Sequence, residues 1–259
     1  MSDYLDRFGG VGRLVGDEGL ERLSSAHVCI IGIGGVGSWA AEALARTGVG
    51  RLTLVDMDDV CITNTNRQVH AVDGVVGRPK VSAMAERIAA VNPDCQVAAL
   101  AEFFTAETAD DILERGFDFV VDAIDTVKHK CVLIVRCRAA GIPIVTVGGA
   151  GGKVDPAQIA VADLTVSTHD GLLRRVRKKL RQDHGLGSEG PWDLPCVFST
   201  ELPRFPTPEG GICDQPSPDT SLRLDCASGY GTASFVTGAF GFAAASVVVR
   251  ALAPLVSSR

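Results

Sequence analysis

Residues 32–37 read Gly-Ile-Gly-Gly-Val-Gly. An unbroken apolar run, AHVCII at 26–31, precedes them, and the helix-forming stretch WAAEALARTG follows. Apolar residues without polar alternation suit a strand buried on both faces. Strand, glycine turn and helix in that order form the dinucleotide fingerprint. Glycine lets the backbone approach a phosphate, and the helix start offers free N–H groups and the positive dipole end. Gly32, Gly34, Gly35 and Gly37 are therefore read as nucleotide-binding positions. On this evidence NAD, FAD and ATP are equally served, and a ligand-free tight turn is the plain alternative.

The pattern continues as alternating strands and helices. RLTLV at 51–55, QVAAL at 96–100, FDFVVDAI at 117–124 and IPIVTV at 142–147 read as strands. KVSAMAERIAAV at 80–91 is helical by the spacing of Met84, Ile88 and Val91, and a further helix runs to Arg138. This order predicts an α/β fold: a Rossmann-like, mostly parallel sheet with helices on both faces. A loop-rich C-terminal extension follows. QIAVADL at 157–163 reads as a sixth strand and LLRRVRKKLRQ at 172–182 as a basic helix. Residues 185–218, dense in Gly and Pro, read as irregular loops. The expected division is an ATP-binding core at 1–165 and a C-terminal part at 166–259, within one compact unit.

The loop from Asp56 to Pro79 narrows the nucleotide. Asp56 follows the second strand, where an acid binds ribose hydroxyls. Asp58, the Asn64-Thr65-Asn66-Arg67-Gln68 run and Lys80 follow it. Hydride transfer needs none of these groups, whereas a triphosphate does. Arg67 and Lys80 neutralise phosphate charge, and Asp58 is placed to help hold Mg2+. For either cation alone, a solvated surface is the competing reading. Asp125 ends the fourth strand on the edge where open α/β sheets bind ligands. Its alternative role is an N-cap for the next helix. Asp122 reads as structural, and His70 reads as packing or as a neighbour of the site.

The net charge of −6 offers no global field for nucleic acid. Locally, Arg174, Arg175, Arg177, Lys178, Lys179 and Arg181 form a basic run, and Lys128, His129 and Lys130 a smaller one. Each is a phosphate-binding face or a merely solvated one. The eight cysteines contain no CxxC pair, which argues against structural zinc. The polar start of the chain has no secretory signature, so the thiols are expected to be reduced in the cytoplasm. Residues 229–249 carry no charge. Their richness in Gly, Ala, Ser and Thr favours a buried helix over a membrane span.

IIGIGGVGS, LVDMDDV, TNTNRQVH, VGRPK and VVDAIDT occur in the order and spacing of the ubiquitin-activating-enzyme-like adenylation superfamily, which the chain resembles over roughly residues 7–165. The resemblance implies that Asp56 binds ribose, and that Asn64, Arg67, Gln68 and Lys80 serve the triphosphate. It also implies that Asp125 holds Mg2+ at the α-phosphate, with Arg67, Lys80 and Asp125 as the catalytic set. An N-terminal Arg from a partner subunit completes such sites. Here Arg7 and Arg13 are the candidates, since position 10 is Gly.

Several further segments, including VTVGGAGGKVDP, CVFSTE and DCASGYG, resemble a narrower group within that superfamily. These are the bacterial dehydratases that cyclise threonylcarbamoyladenosine in tRNA. That likeness implies an ATP-dependent, ligase-like cyclase acting on modified tRNA, with Mg2+ and a monovalent cation. It further implies a homodimer and a sulfur-transfer partner. The alternative is an activator of a small sulfur-carrier protein. Intramolecular attack needs no enzyme nucleophile, so Cys196 and Cys226 read as packing residues, with a thioester role as the alternative.

Overall fold

The computed structural model describes residues 3–187, 190–207, 209–214 and 230–254. Two helices open it, α1 (Tyr4–Val15) and α2 (Asp17–Ser25). Neither emerged from the sequence pattern, because Gly9, Gly10 and Gly12 depress local helix propensity in α1. Tertiary contact supplies what propensity lacks: Phe8 and Gly12 are buried, and the Tyr4 hydroxyl donates to Gly48 O at 2.6 Å.

Next come β1 (His27–Ile31), α3 (Gly35–Arg46), β2 (Arg51–Val55), α4 (Lys80–Val91) and β3 (Gln96–Leu100). They are followed by α5 (Ala109–Leu113), β4 (Phe119–Asp122), α6 (Val127–Ala139) and β5 (Ile144–Val147). The C-terminal part adds β6 (Ile159–Asp163), α7 (Gly171–His184), β7 (Pro195–Ser199), β8 (Phe205–Pro206), β9 (Ile212–Cys213) and α8 (Ser234–Leu252). The main sheet has seven strands in the order β3-β2-β1-β4-β5-β7-β6. Every pairing in it is parallel except β6 with β7.

The expected loop at 185–218 is thus corrected. Its segment 195–199, PCVFS, is an inner strand of the sheet, with Cys196, Val197, Phe198 and Ser199 buried. The Gly and Pro around it obscured a five-residue strand whose partners are distant in sequence. Residues 188, 189, 208 and 215–218 of that expected loop, and Cys226, lie outside the described residues.

A core fills each face of the sheet. Ile30, Leu52 and Leu54 meet Leu44, Met84 and Phe240 on one side. Ile31, Val55 and Val120 meet Ile112, Leu133 and Leu173 on the other. The apolar segment in the C-terminal part becomes α8, which is long and apolar enough to cross a membrane by length and composition. In this fold it lies on α3, with Val236, Phe240, Ala244 and Val248 buried, while Phe235 and Phe242 are exposed. A Cβ at Gly241 would sit 2.7 Å from Val36 O, so the small residues serve close helix approach.

One expected surface cation is internal. Lys130 is fully buried, with Nζ 2.8 Å from the equally buried Asp122 carboxylate. It does not belong to a basic patch, because helical spacing turns it inward from Lys128 and His129. Asp122 also accepts from Thr146 Oγ1 at 2.6 Å and from Ile124 N at 3.2 Å. Removing one partner strands the other charge in the core. Lys130→Met is expected to destabilise the protein by about 3–5 kcal/mol, read from urea unfolding midpoints. A midpoint equal to that of the parent would sink this account.

Candidate active site

The C-terminal ends of the parallel strands open on one cavity of about 580 Å3. Gly32, Gly34, Gly35, Asp56, Asp58, Asn64, Arg67, Gln68, Lys80 and Asp125 all line it. Residues far apart in sequence thus converge where parallel α/β sheets place ligands. Gly37 is absent from the lining. A Cβ at Gly37 would fall 1.8 Å from Gly32 O, so this glycine lets α3 begin hard against the end of β1. Gly32 has φ of +92°, and a Cβ there would meet Ala123 O at 2.7 Å. At Gly34 a Cβ would find no protein atom within 4 Å, so this position is open to the cavity.

Asp56 is bound to the glycine turn itself. Its Oδ2 accepts from Ile33 N at 2.6 Å and its Oδ1 from Asp58 N at 2.8 Å. Burial raises its carboxyl above the ordinary aspartate value, against the opposing pull of Lys80 and the two N–H donors.

Lys80, the first residue of α4, is buried, and its Nζ lies 2.7 Å from Asp58 Oδ2. Asp58, read from sequence as an aid to Mg2+, is therefore the partner of Lys80 here. Arg67 Nη1 donates to Thr63 O at 2.8 Å and to Asn66 Oδ1 at 2.9 Å. The Arg67 carbonyl accepts from Trp39 Nε1 at 3.0 Å and from Thr237 Oγ1 at 3.1 Å. The guanidinium is thus carried on a turn held by α3 and α8. Asn64 Oδ1 accepts from Cys61 N at 2.9 Å, closing the short 3-10 turn at Ile62–Asn64.

Asp125 is exposed on the cavity wall, and its Oδ1 accepts only from Thr126 Oγ1 at 3.3 Å among the described bonds. Thr126 is the N-cap residue of α6, so the capping alternative for Asp125 does not occur. No cluster of three or more His, Cys, Asp or Glu side chains among the described residues is set to hold a metal. The donor set instead fits a magnesium ion that arrives with a triphosphate and takes one protein carboxylate.

Several lining residues escaped the sequence reading. Phe103 and Phe104 carried no sequence signal, His129 was read only as part of a small basic run, and the 148–151 wall and Tyr230 only as segments of family likeness. The signal for the wall was GGAGG directly after the fifth strand. Cys196 lies fully buried on β7, and burial pushes its thiol up to about 12, which contradicts a thioester role. The basic helix is α7, but Arg177 is spent within the fold, donating to Leu164 O at 3.2 Å and Ser167 O at 2.9 Å. Arg174, Arg175, Lys178 and Arg181 remain exposed.

The fold and the cavity define a doubly wound nucleotide-binding α/β protein whose cavity is lined by its glycine turn and by two cations, Arg67 and Lys80. The chain belongs to the ThiF family, whose model matches residues 11–254. It is 48% identical over 250 residues to the tRNA threonylcarbamoyladenosine dehydratase of Escherichia coli, covering 95% of this chain and 93% of that one. A crystal structure of an Escherichia coli dehydratase of that name, in complex with ATP, superposes with a TM-score of 0.86. It has 44% identity and covers 97% of this chain and 96% of that one. The sulfur carrier protein ThiS adenylyltransferase of Escherichia coli is 36% identical over 134 residues, about half of each chain.

His70 provides a check on this interior. It is 2% exposed, and neither ring nitrogen has a hydrogen-bond partner. Burial, then Lys80 and Arg87, lowers its pKa to about 4 from 6.5. Below about pH 6.5 the unfolded chain takes up a proton that the folded chain refuses until about 4. Stability from this group is therefore full above that window and drains as pH falls through it. His70→Gln is expected to flatten the dependence of the unfolding midpoint on pH between about 6.5 and 4. Parallel curves for the two proteins would refute the assignment.

Proposed function

We infer that this protein is an ATP-dependent tRNA threonylcarbamoyladenosine dehydratase. The observation that carries the reading is near-full-length likeness to enzymes of that name, supported by a cavity that the glycine turn, two cations and Asp125 line together. ATP lies over the 32–35 turn, with its phosphates at the start of α3. A carboxylate oxygen of the threonylcarbamoyl arm attacks the α-phosphorus, and pyrophosphate leaves. The carbamoyl oxygen then attacks the activated carbonyl, closing an oxazolone ring and releasing AMP. The net change in the base is loss of one water. Both partners of the second step sit on one molecule, so proximity supplies the rate that an enzyme nucleophile would otherwise provide.

The residue roles belong to the same proposal. Arg67 and Lys80 stabilise charge on the transferring phosphate, and Lys80 exchanges Asp58 for phosphate oxygen. Asp56 fixes the turn and meets the ribose. Asn64 and Gln68 border the phosphates. Asp125 is the carboxylate that would hold Mg2+, which would neutralise phosphate charge. A monovalent cation is a further proposed component, without an assigned residue. A homodimer fits α1, where Leu5 and Leu14 are exposed and Arg7 and Arg13 lie outside their own chain's cavity. The sulfur-transfer partner rests on the family resemblance alone. The exposed cations of α7 supply phosphate contacts for tRNA. Residues 1–165 are proposed as the adenylating core and 166–259 as the part that admits tRNA, in the cytoplasm.

Incubation with ATP and tRNA bearing threonylcarbamoyladenosine, followed by mass analysis of the nucleosides, tests the reading. The modified adenosine should lose one water. Asp125→Ala should abolish the product, and Arg67→Ala or Lys80→Ala should lower kcat by about 10²–10³-fold. ATP–pyrophosphate exchange driven only by a sulfur-carrier protein, with tRNA unchanged, would favour the carrier-activating alternative.

A further inference from the structure

The cavity spans neighbouring strand ends in the order β3, β2, β1, β4, β5. The residues proposed for ATP follow β2, β1 and β4. The end of β5 bears no charged side chain and is a wall of Gly148, Gly149, Ala150 and Gly151 with Tyr230 beside it.

Most of that wall is set by packing. Gly148 N donates to Val197 O and Gly149 N to Asp170 Oδ2, both at 2.8 Å. Asp170 Oδ1 accepts from Leu173 N at 2.8 Å, so one carboxylate caps α7 and pins the wall. A Cβ at Gly148 would lie 2.1 Å from Asp170 Oδ2, and one at Gly151 would lie 2.7 Å from Tyr230 Cβ. The Tyr230 ring rests near Phe205, with centroids 5.4 Å apart, and the next carbonyl accepts from Gly152 N at 2.8 Å.

Gly149 differs from its neighbours. Its φ is not in the left-handed region, and a Cβ there would meet no protein atom within 4 Å. Neither backbone conformation nor protein packing requires glycine at this lining position. Gly34, on the ATP side, is open in the same way. β4 and β5 are hydrogen-bonded neighbours, so an acid group over β5 lies one strand from Asp125.

We propose that the 148–151 wall and Tyr230 form the subsite for the modified adenine and its carboxylate arm, across from the triphosphate. Tyr230 supplies an aromatic face for the base, and Gly149 supplies the clearance for the arm. This rests on the dehydratase reading above.

The test compares the parent with Gly149→Ala, Gly149→Val, Tyr230→Phe and Tyr230→Ala. Readouts are melting temperature, ATP Kd, Kd for unmodified tRNA, and KM for tRNA bearing threonylcarbamoyladenosine. At Gly149, KM should rise in the order Gly, Ala, Val. Tyr230→Ala should raise KM about tenfold, as loss of a base-stacking face does, and Tyr230→Phe should restore it. In the Gly149 variants, melting temperature, ATP Kd and Kd for unmodified tRNA should stay at parental values, and in Tyr230→Phe melting temperature and ATP Kd should do so. Parental KM in Gly149→Val or in Tyr230→Ala would overturn the subsite, as would ATP or unmodified tRNA binding that weakens in step with KM across the Gly149 variants. A parent that fails to dehydrate modified tRNA would instead overturn the dehydratase reading beneath it.

Discussion

Between Gly37 and Gly32 there is no room for a side chain: a Cβ on the first would overlap the carbonyl of the second at 1.8 Å. That contact seats the start of α3 on the end of β1. Free N–H groups and the positive end of the helix dipole therefore point across the sheet edge at a fixed place. Asp56 then ties the intervening turn to β2 through Ile33 N. The order of the cavity follows from this seat. Parallel pairing of β2, β1 and β4 brings Asp56, the glycine turn and Asp125 side by side.

Charges in the fold are handled in two ways. Asp122 and Lys130 neutralise one another in the interior, and Asp122 also accepts from Thr146 Oγ1 and Ile124 N. Such a pair holds β4 to α6 but is closed to a ligand. At the cavity, Lys80 is held by a single carboxylate that is itself exposed, and Asp125 is almost unengaged. Polar groups of this kind can change partner at low cost when a triphosphate arrives. Two aspartates three residues apart thus have opposite uses, decided by whether they face core or cavity.

The C-terminal part is woven into the sheet rather than appended to it. β7 enters between β5 and β6, and α8 covers α3 while Thr237 holds the Arg67 carbonyl. Residues beyond 166 therefore help to shape the nucleotide side of the cavity, and the wall after β5 is pinned by Asp170 at the start of α7. This weaving gives a physical reason why likeness extends over nearly the whole chain and not over the glycine-turn half alone.

Local pattern by itself determined the strand–glycine–helix unit, the alternation behind it, and the candidate residues from Asp56 to Asp125. Each of these depends on contiguous residues: the apolar run of β1, the period of α4, the acid at a strand end. Tertiary structure alone decided the rest. β7 is five residues whose strand character comes from burial between β5 and β6, neither of which adjoins it in sequence. Helix α1 overcomes three glycines through Phe8 and Tyr4 contacts. Lys130 looks like a neighbour of Lys128 in sequence but is turned into the core beside Asp122. The glycine turn that first suggested a nucleotide was legible because its geometry is local. Its use of Gly37 for packing and Gly34 for clearance was not, because only the folded neighbours distinguish one glycine from the next.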